Sequence, residues 1–420
     1  MKILIQSARI ISKGSPFHLK TRNVLLNNGR IAEIGDKNYS ADKVIDASGM
    51  ILSPGWVDIG ASVGDPGHEQ KEDLQSLAKA AAAGGFTEVA VLPNTQPAIQ
   101  SKNEISYLTA NNNNRLVQLH ALAAVTKNCK GEELTEMIDL HQAGAVAFTD
   151  GLKPVWHTDI FLKSLQYLQK VEGLLIDHPE DNWLNLFGQM HEGAQSTMLG
   201  LKGMPRIAEE VAISKNLELL TYAGGRLHLS KLSTAKSIEL VRVAKKKGLQ
   251  LTCDVAAYQP LLTDAVLVDF DTNYKVNPPL REKADQDALL KGLKDGTIDV
   301  LVSNHAPHDD ESKFLEFDQS EFGLINLQTF ASQLTALAEE IELADLIEKI
   351  TDAPRRLLKL DPVVIDVDTR ANLTLFDPNC EWTFSADLNL SKSKNSPWLG
   401  QKLRGRAVAV FNNSKQSIDV

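Results

Sequence analysis

The sequence predicts an α/β chain built on a (β/α)8 TIM-type barrel, with a small β domain attached to it. Two observations carry this. From about Pro54 to Ser303, short apolar strands alternate with helical stretches over roughly 250 residues, the usual length of one barrel. Before Pro54 the chain reads instead as strands and tight turns with no helix between them. The 420 residues are enough for one barrel-sized core and a smaller domain.

The elements follow in order. Lys2–Ile11 alternates like a strand, Asn23–Asn28 is a second, and Arg30–Ile34 a third, after the turn signal Asn27-Asn28-Gly29. A strand from Pro54 opens the barrel, and an Ala-rich helix over Glu72–Ala83 stops at Gly84-Gly85. Further strands are expected at Thr87–Leu92, Gln118–Ala124, Val146–Thr149, Gly173–Asp177, Arg226–Leu229, Leu249–Val255 and Val300–Ser303. Helices are expected between them at Glu132–Ala143, 158–170, 205–216, Ala235–Lys247 and 285–294. The run Asn111–Asn114 reads as a solvated loop. Chain order alone also allows an open doubly wound sheet, but no GxGxxG turn supports one.

Composition narrows the function. The net charge of −10 argues against nucleic acid, which needs a basic face. Cys129, Cys253 and Cys380 are far apart and form no CxxC pair, which fits a reducing, cytoplasmic setting. Neither a signal peptide nor a membrane span is expected from the apolar runs present.

Several segments recur in a telling order. Pro54-Gly55-Trp56-Val57-Asp58 and Asp65-Pro66-Gly67 frame the first barrel strand. Leu92-Pro93-Asn94-Thr95-Gln96-Pro97, His178-Pro179-Glu180-Asp181, His191-Glu192-Gly193, Asn277-Pro278-Pro279-Leu280-Arg281 and His305-Ala306-Pro307-His308 follow. Ala371–Pro378 and Ser391–Trp398 come last. Together they resemble the dihydroorotases of the amidohydrolase superfamily along nearly the whole chain. The resemblance implies that superfamily's barrel over residues 54–364. It also implies a composite, β-sandwich-like small domain from residues 1–53 and 365–420.

The resemblance further implies where the chemistry would lie. A dihydroorotase uses a metal centre to activate water and polarise the ring carbonyl, and an Asp to shuttle the proton. Two His one residue apart on the first strand share a face and reach one metal; Gly60 and Ser62 stand there. Gly64 stands where the Arg that clamps the substrate carboxylate belongs, Lys231 at another His ligand, and Asn304 at the catalytic Asp. His178 remains, and so does Asp150, whose register against Gly151 is left open. Asn94, Asn277 and His308 match the substrate-side groups.

These losses predict that no metal is bound and that hydrolysis of dihydroorotate to N-carbamoyl-aspartate is gone. An ammonium at Lys231 opposes a cation there, or neutralises the pocket by pairing with Asp150. The chain would then act as a structural or regulatory partner in pyrimidine biosynthesis, as a dimer bound to aspartate carbamoyltransferase. Two alternatives stand: a working, zinc-dependent dihydroorotase, and a sensor that binds a pyrimidine-like ligand. His178 and His228 also fit satisfied interior histidines, and Asn94 and Asn277 fit turn geometry. His68 and His157 read as exposed loop residues.

Overall fold

The computed structural model describes residues 1–110 and 112–418. Strands β1 (Lys2–Ile10), β2 (Thr21–Asn27), β3 (Arg30–Gly35), β4 (Lys43–Asp46) and β5 (Ile51–Pro54) come first. Then follow β6 (Trp56–Ala61), β7 (Phe86–Val91), β8 (Gln118–Ala123), β9 (Ala147–Phe148) and β10 (Leu174–Asp177). After these come β11 (Met190–His191), β12 (Gly203–Met204), β13 (Arg226–Leu229), β14 (Leu251–Ala256) and β15 (Val300–Val302). The chain closes with β16 (Leu373–Thr383), β17 (Lys402–Asn412) and β18 (Lys415–Ile418).

Eight strands, β6-β7-β8-β9-β10-β13-β14-β15, form the parallel barrel sheet. Its strands are buried on both faces, which is why they read as unbroken apolar runs such as Phe86–Val91. The seam between β15 and β6 is bridged by a side chain. Asp58, fully buried, accepts from the Ser303 N–H and hydroxyl, each at 2.7 Å. Just beyond, the Ser62 N–H donates to the His305 carbonyl at 2.7 Å.

The second sheet runs β18-β17-β16-β5-β1-β2-β3, with β4 beside β1. It joins both ends of the chain around Ile5, Ile10, Val24, Leu52, Leu373 and Phe411. Trp56 of β6 ties it to the barrel. Its ring meets Phe86 at 5.9 Å, Phe330 at 6.2 Å and Phe376 of β16 at 5.6 Å between centroids.

Several elements differ from expectation. The first barrel helix begins at Leu74, because Asp73 caps it by accepting from the Gln75 and Ser76 N–H groups. The helix expected at Glu132–Ala143 forms only over Met137–Gln142. Thr126 bridges Leu134, and the Thr135 hydroxyl bonds the Ala124 carbonyl at 2.7 Å, so the preceding segment is held as a turn. The helix expected at 205–216 continues to Ala223, where Gly224 ends it. Asn112–Asn114 is a short 3-10 turn whose Asn112 amide bonds Leu119 in both directions, while Asn111 lies outside the described residues. The helices Phe330–Leu337, Leu343–Glu348 and Asp352–Leu358 after β15 were not anticipated. Cys129, Cys253 and Cys380 form no disulfide. Among the described residues no helix is long and apolar enough to cross a membrane.

Candidate functional site

Parallel strands deliver their C-terminal ends to one face of a barrel. Gly60 and Ser62 end the first strand there, Asn94 follows β7, Asp150 follows β9, and His178 follows β10. Lys231, Asn277 and Asn304 follow β13, β14 and β15. The sequence positions therefore do converge. What they make is a network of internal bonds.

Lys231 is buried and its backbone N–H donates to Asp254 at 2.6 Å. Burial pushes its ammonium down to about 8, against the opposing pull of the Asp254 and Glu180 carboxylates. It stays charged at neutral pH, in the field of both carboxylates but without an ion pair to either. Asp254 also accepts from His228 Nε2 at 2.8 Å and from the Ser230 hydroxyl at 3.0 Å. His228 Nδ1 meets the Thr252 hydroxyl at 2.8 Å, so both nitrogens of that ring are engaged inside the core.

Glu180 is the second acid. His178 Nε2 lies 3.3 Å from its Oε2, and the Asn277 amide donates to the same oxygen at 3.0 Å. Burial would raise this carboxyl, but His178 and Asn277 outweigh it and hold it at about 2. Neither Glu180 nor Asp254 was singled out from the sequence. A charged residue inside the apolar strand Leu251–Ala256 was the available signal for Asp254.

Asp150 does not pair with Lys231 as one sequence reading had it. It accepts from the Thr126 N–H at 2.9 Å and the Thr126 hydroxyl at 2.5 Å. Burial pushes its carboxyl up to about 6, against those two hydrogen bonds. Asn304 donates to the Tyr258 hydroxyl at 2.7 Å. Asn94 clasps the same loop as Asp150, donating to the Asp150 carbonyl and accepting from Leu152 N–H, both at 3.0 Å. His308 bonds the Phe322 carbonyl through Nε2 at 3.0 Å and faces the Lys71 ammonium through Nδ1 at 3.3 Å. Burial and the Lys71 charge bring it down to about 4, so its ring is neutral at neutral pH.

Gly64, where the resemblance implies the carboxylate-clamping Arg, has no room for a side chain. A Cβ on Gly64 would lie 2.0 Å from the His68 carbonyl oxygen, because the loop turns back on itself there. Gly60, by contrast, has only Val302 near it, at 3.7 Å from a Cβ, so a larger residue is not barred by its immediate neighbours.

A divalent metal does not fit this donor set. Gly60 offers no atom, Asn304 and Asp150 are engaged elsewhere, and Lys231 brings a positive charge. The buried Ser62 Oγ and His178 Nδ1 are without a hydrogen-bond partner, and two such atoms fall short of the three protein ligands a catalytic zinc takes. Among the described residues, one trio of ligand atoms lies within 4.8 Å of one another: His191, Asp264 and Glu282. It includes none of the family positions. Its His191 Nδ1 faces an Arg281 donor at 3.1 Å, which leaves the ring proton on Nε2, the nitrogen a metal would need.

An eight-stranded parallel barrel with loops converging at its C-terminal face, backed by a sheet from both termini, defines an amidohydrolase-type protein. Solved structures with this fold include the L-hydantoinase (dihydropyrimidinase) of Arthrobacter aurescens. It has a TM-score of 0.86 at 21% identity, over 99% of this chain and 96% of that one. The dihydropyrimidinase from Brevibacillus agri NCHU1002 has a TM-score of 0.80 at 20% identity, over 100% and 95%. Residues 49–237 match the family described as Dihydro-orotase-like. A protein named Dihydroorotase from Citrifermentans bemidjiense is 40% identical over 415 residues, 97% of each chain. Another of that name from Geobacter metallireducens is 39% identical over 420 residues, 99% of each. This chain belongs to the dihydroorotase family.

Proposed function

We propose that this chain is a dihydroorotase-family member that does not hydrolyse dihydroorotate and serves pyrimidine biosynthesis as a binding partner. The observation that carries the reading is Lys231, a buried lysine where the resemblance implies a metal ligand, its backbone N–H fixed on Asp254 at 2.6 Å. Gly60 and Asn304 add to it, since neither supplies a ligand or a base. The partner would be aspartate carbamoyltransferase, joined by a dimer of this chain. Exposed apolar side chains support an interface: Trp183 and Phe187 in one turn, Met198, and Phe314 are 70% or more exposed.

A second reading, a working dihydroorotase, is favoured by a different observation. Relatives 38–40% identical over nearly the full chain carry that name. Their names weigh towards hydrolysis, and the donor set weighs against it.

Two measurements separate the readings. Protein purified without chelator is analysed for zinc and assayed with dihydroorotate in both directions with zinc added. Substoichiometric zinc and no turnover are expected, and Ser62→His alone leaves both unchanged, because Lys231 and Asn304 remain. Bound zinc with turnover of about 1 per second or faster makes the second reading correct. Co-expression with the transferase and size-exclusion chromatography tests the partnership, which should bury at least about 1,000 Å². Separate elution at micromolar concentration sinks it.

A further inference from the structure

We infer that the protein has a second binding site, at the opposite end of the barrel from the family's site, for a phosphorylated ligand of nucleotide size. A cavity of about 1200 Å³ lies between the N-terminal halves of β7 and β8, the segment leaving the barrel after Leu358, and the small sheet. Ordinary small-molecule sites occupy about 300–1,000 Å³, so the space accommodates a nucleotide.

Its charge is unusual for a protein of net charge −10. Arg30, Arg355, Lys359 and Arg370 line it, against the carboxylates of Glu88 and Asp361. Glu88 and Arg355 neutralise each other. Glu88 Oε1 receives Arg355 at 2.5 Å and the Asn372 amide at 3.0 Å, and its Oε2 meets His120 at 2.8 Å. Lys359 pairs with Glu172 at the rim at 2.8 Å, while Asp361 is an exposed acid.

A second observation comes from the backbone. Arg30 and Arg370 are partners in an antiparallel bridge, so two guanidinium groups leave one edge directly opposite each other. Like charges so placed destabilise a strand pair. Neighbouring bonds lock this register: Ile31 N–H to the Thr369 carbonyl and Ala371 N–H to the Gly29 carbonyl, both at 2.9 Å. Arg30 donates to the Asp368 carbonyl, but neither arginine meets a carboxylate among the described residues. Two facing arginines at the mouth of a cavity form a clamp for an oligoanion, and guanidinium is the group best matched to phosphate oxygens. The Gln118 amide on the wall, without a hydrogen bond of its own among the described residues, is placed to read the uncharged part of the ligand.

The test is titration calorimetry on the full chain at low and at 0.3 M salt. The probes are ATP, CTP, GTP, UTP, inorganic tripolyphosphate and the uncharged nucleosides. At least one triphosphate should bind saturably at low salt, more weakly at high salt, and the nucleosides should not bind. In Arg30→Ala/Arg370→Ala the affinity should fall at least tenfold. Both side chains are exposed, so the variant should fold, and its melting temperature is checked. Absence of saturable binding by every triphosphate at 10 mM overturns the inference, as does equal affinity in the double variant. Tripolyphosphate binding without any nucleotide binding overturns the assignment of a nucleotide-sized ligand.

Discussion

Lys231 and Asp150 show how single buried charges are settled at the C-terminal face of the barrel. Lys231 is held at φ +60°, a left-handed conformation that an ordinary side chain adopts at a cost. The Asp254 carboxylate fixes its backbone N–H, and the Asp254 and Glu180 charges oppose the effect of burial on its ammonium. Asp150 pairs with no cation among the described residues and is held partly protonated near neutrality. Its folded value of about 6 exceeds the ordinary 3.8, so its contribution to stability is fully present below pH 3.8 and lost as pH rises through 6. Two units correspond to about 3 kcal/mol. Asp150→Asn removes that loss. The unfolding free energy of the variant should therefore gain on the wild type by up to about 3 kcal/mol between pH 4 and 7, on top of a constant offset from Thr126. Urea denaturation at four pH values reads this, and a difference that does not change with pH contradicts it.

At the scale of elements, the barrel closes through a side chain more than through a ladder. β15 covers only Val300–Val302, and Asp58 reaches across to the Ser303 N–H and hydroxyl. Burial pushes this carboxyl up, and the Ser303 bonds oppose the shift. Asp58→Ala would leave two buried donors unmatched at about 1–3 kcal/mol each. A loss of about 2 kcal/mol or more in chemical denaturation is expected, and a loss under about 0.5 kcal/mol, the range of a neutral surface change, would mean the seam is held by packing alone.

The whole molecule is one structure because the two sheets share an aromatic cluster. Trp56 of the barrel, Phe330 of the closing helix and Phe376 of β16 pack edge to face. Phe376→Ala should cost about 3–5 kcal/mol, and it should lower a single unfolding transition monitored by both tryptophan fluorescence and circular dichroism. Separation into two transitions would show that the small sheet and barrel unfold independently.

Most of the architecture was legible in the sequence. The eight barrel strands are apolar runs because both their faces are covered, so period and composition place them to within two or three residues. The helices after β15 escaped notice. Phe330–Leu337 is buried nearly all round and lacks an amphipathic stripe to announce it. That Gly60, Ser62, Lys231 and Asn304 stand where the resemblance implies ligands and the catalytic Asp was read from residue identity alone. The contacts these residues make were not. That the Lys231 backbone is held by Asp254, that Gly64 is walled in by its own loop, and that Arg30 pairs with Arg370 at one edge of a cavity are all decided by tertiary structure. Each joins residues far apart in sequence or depends on the path of a loop. Local propensity fixes strands and helices, but only the closed fold sets which charges become neighbours.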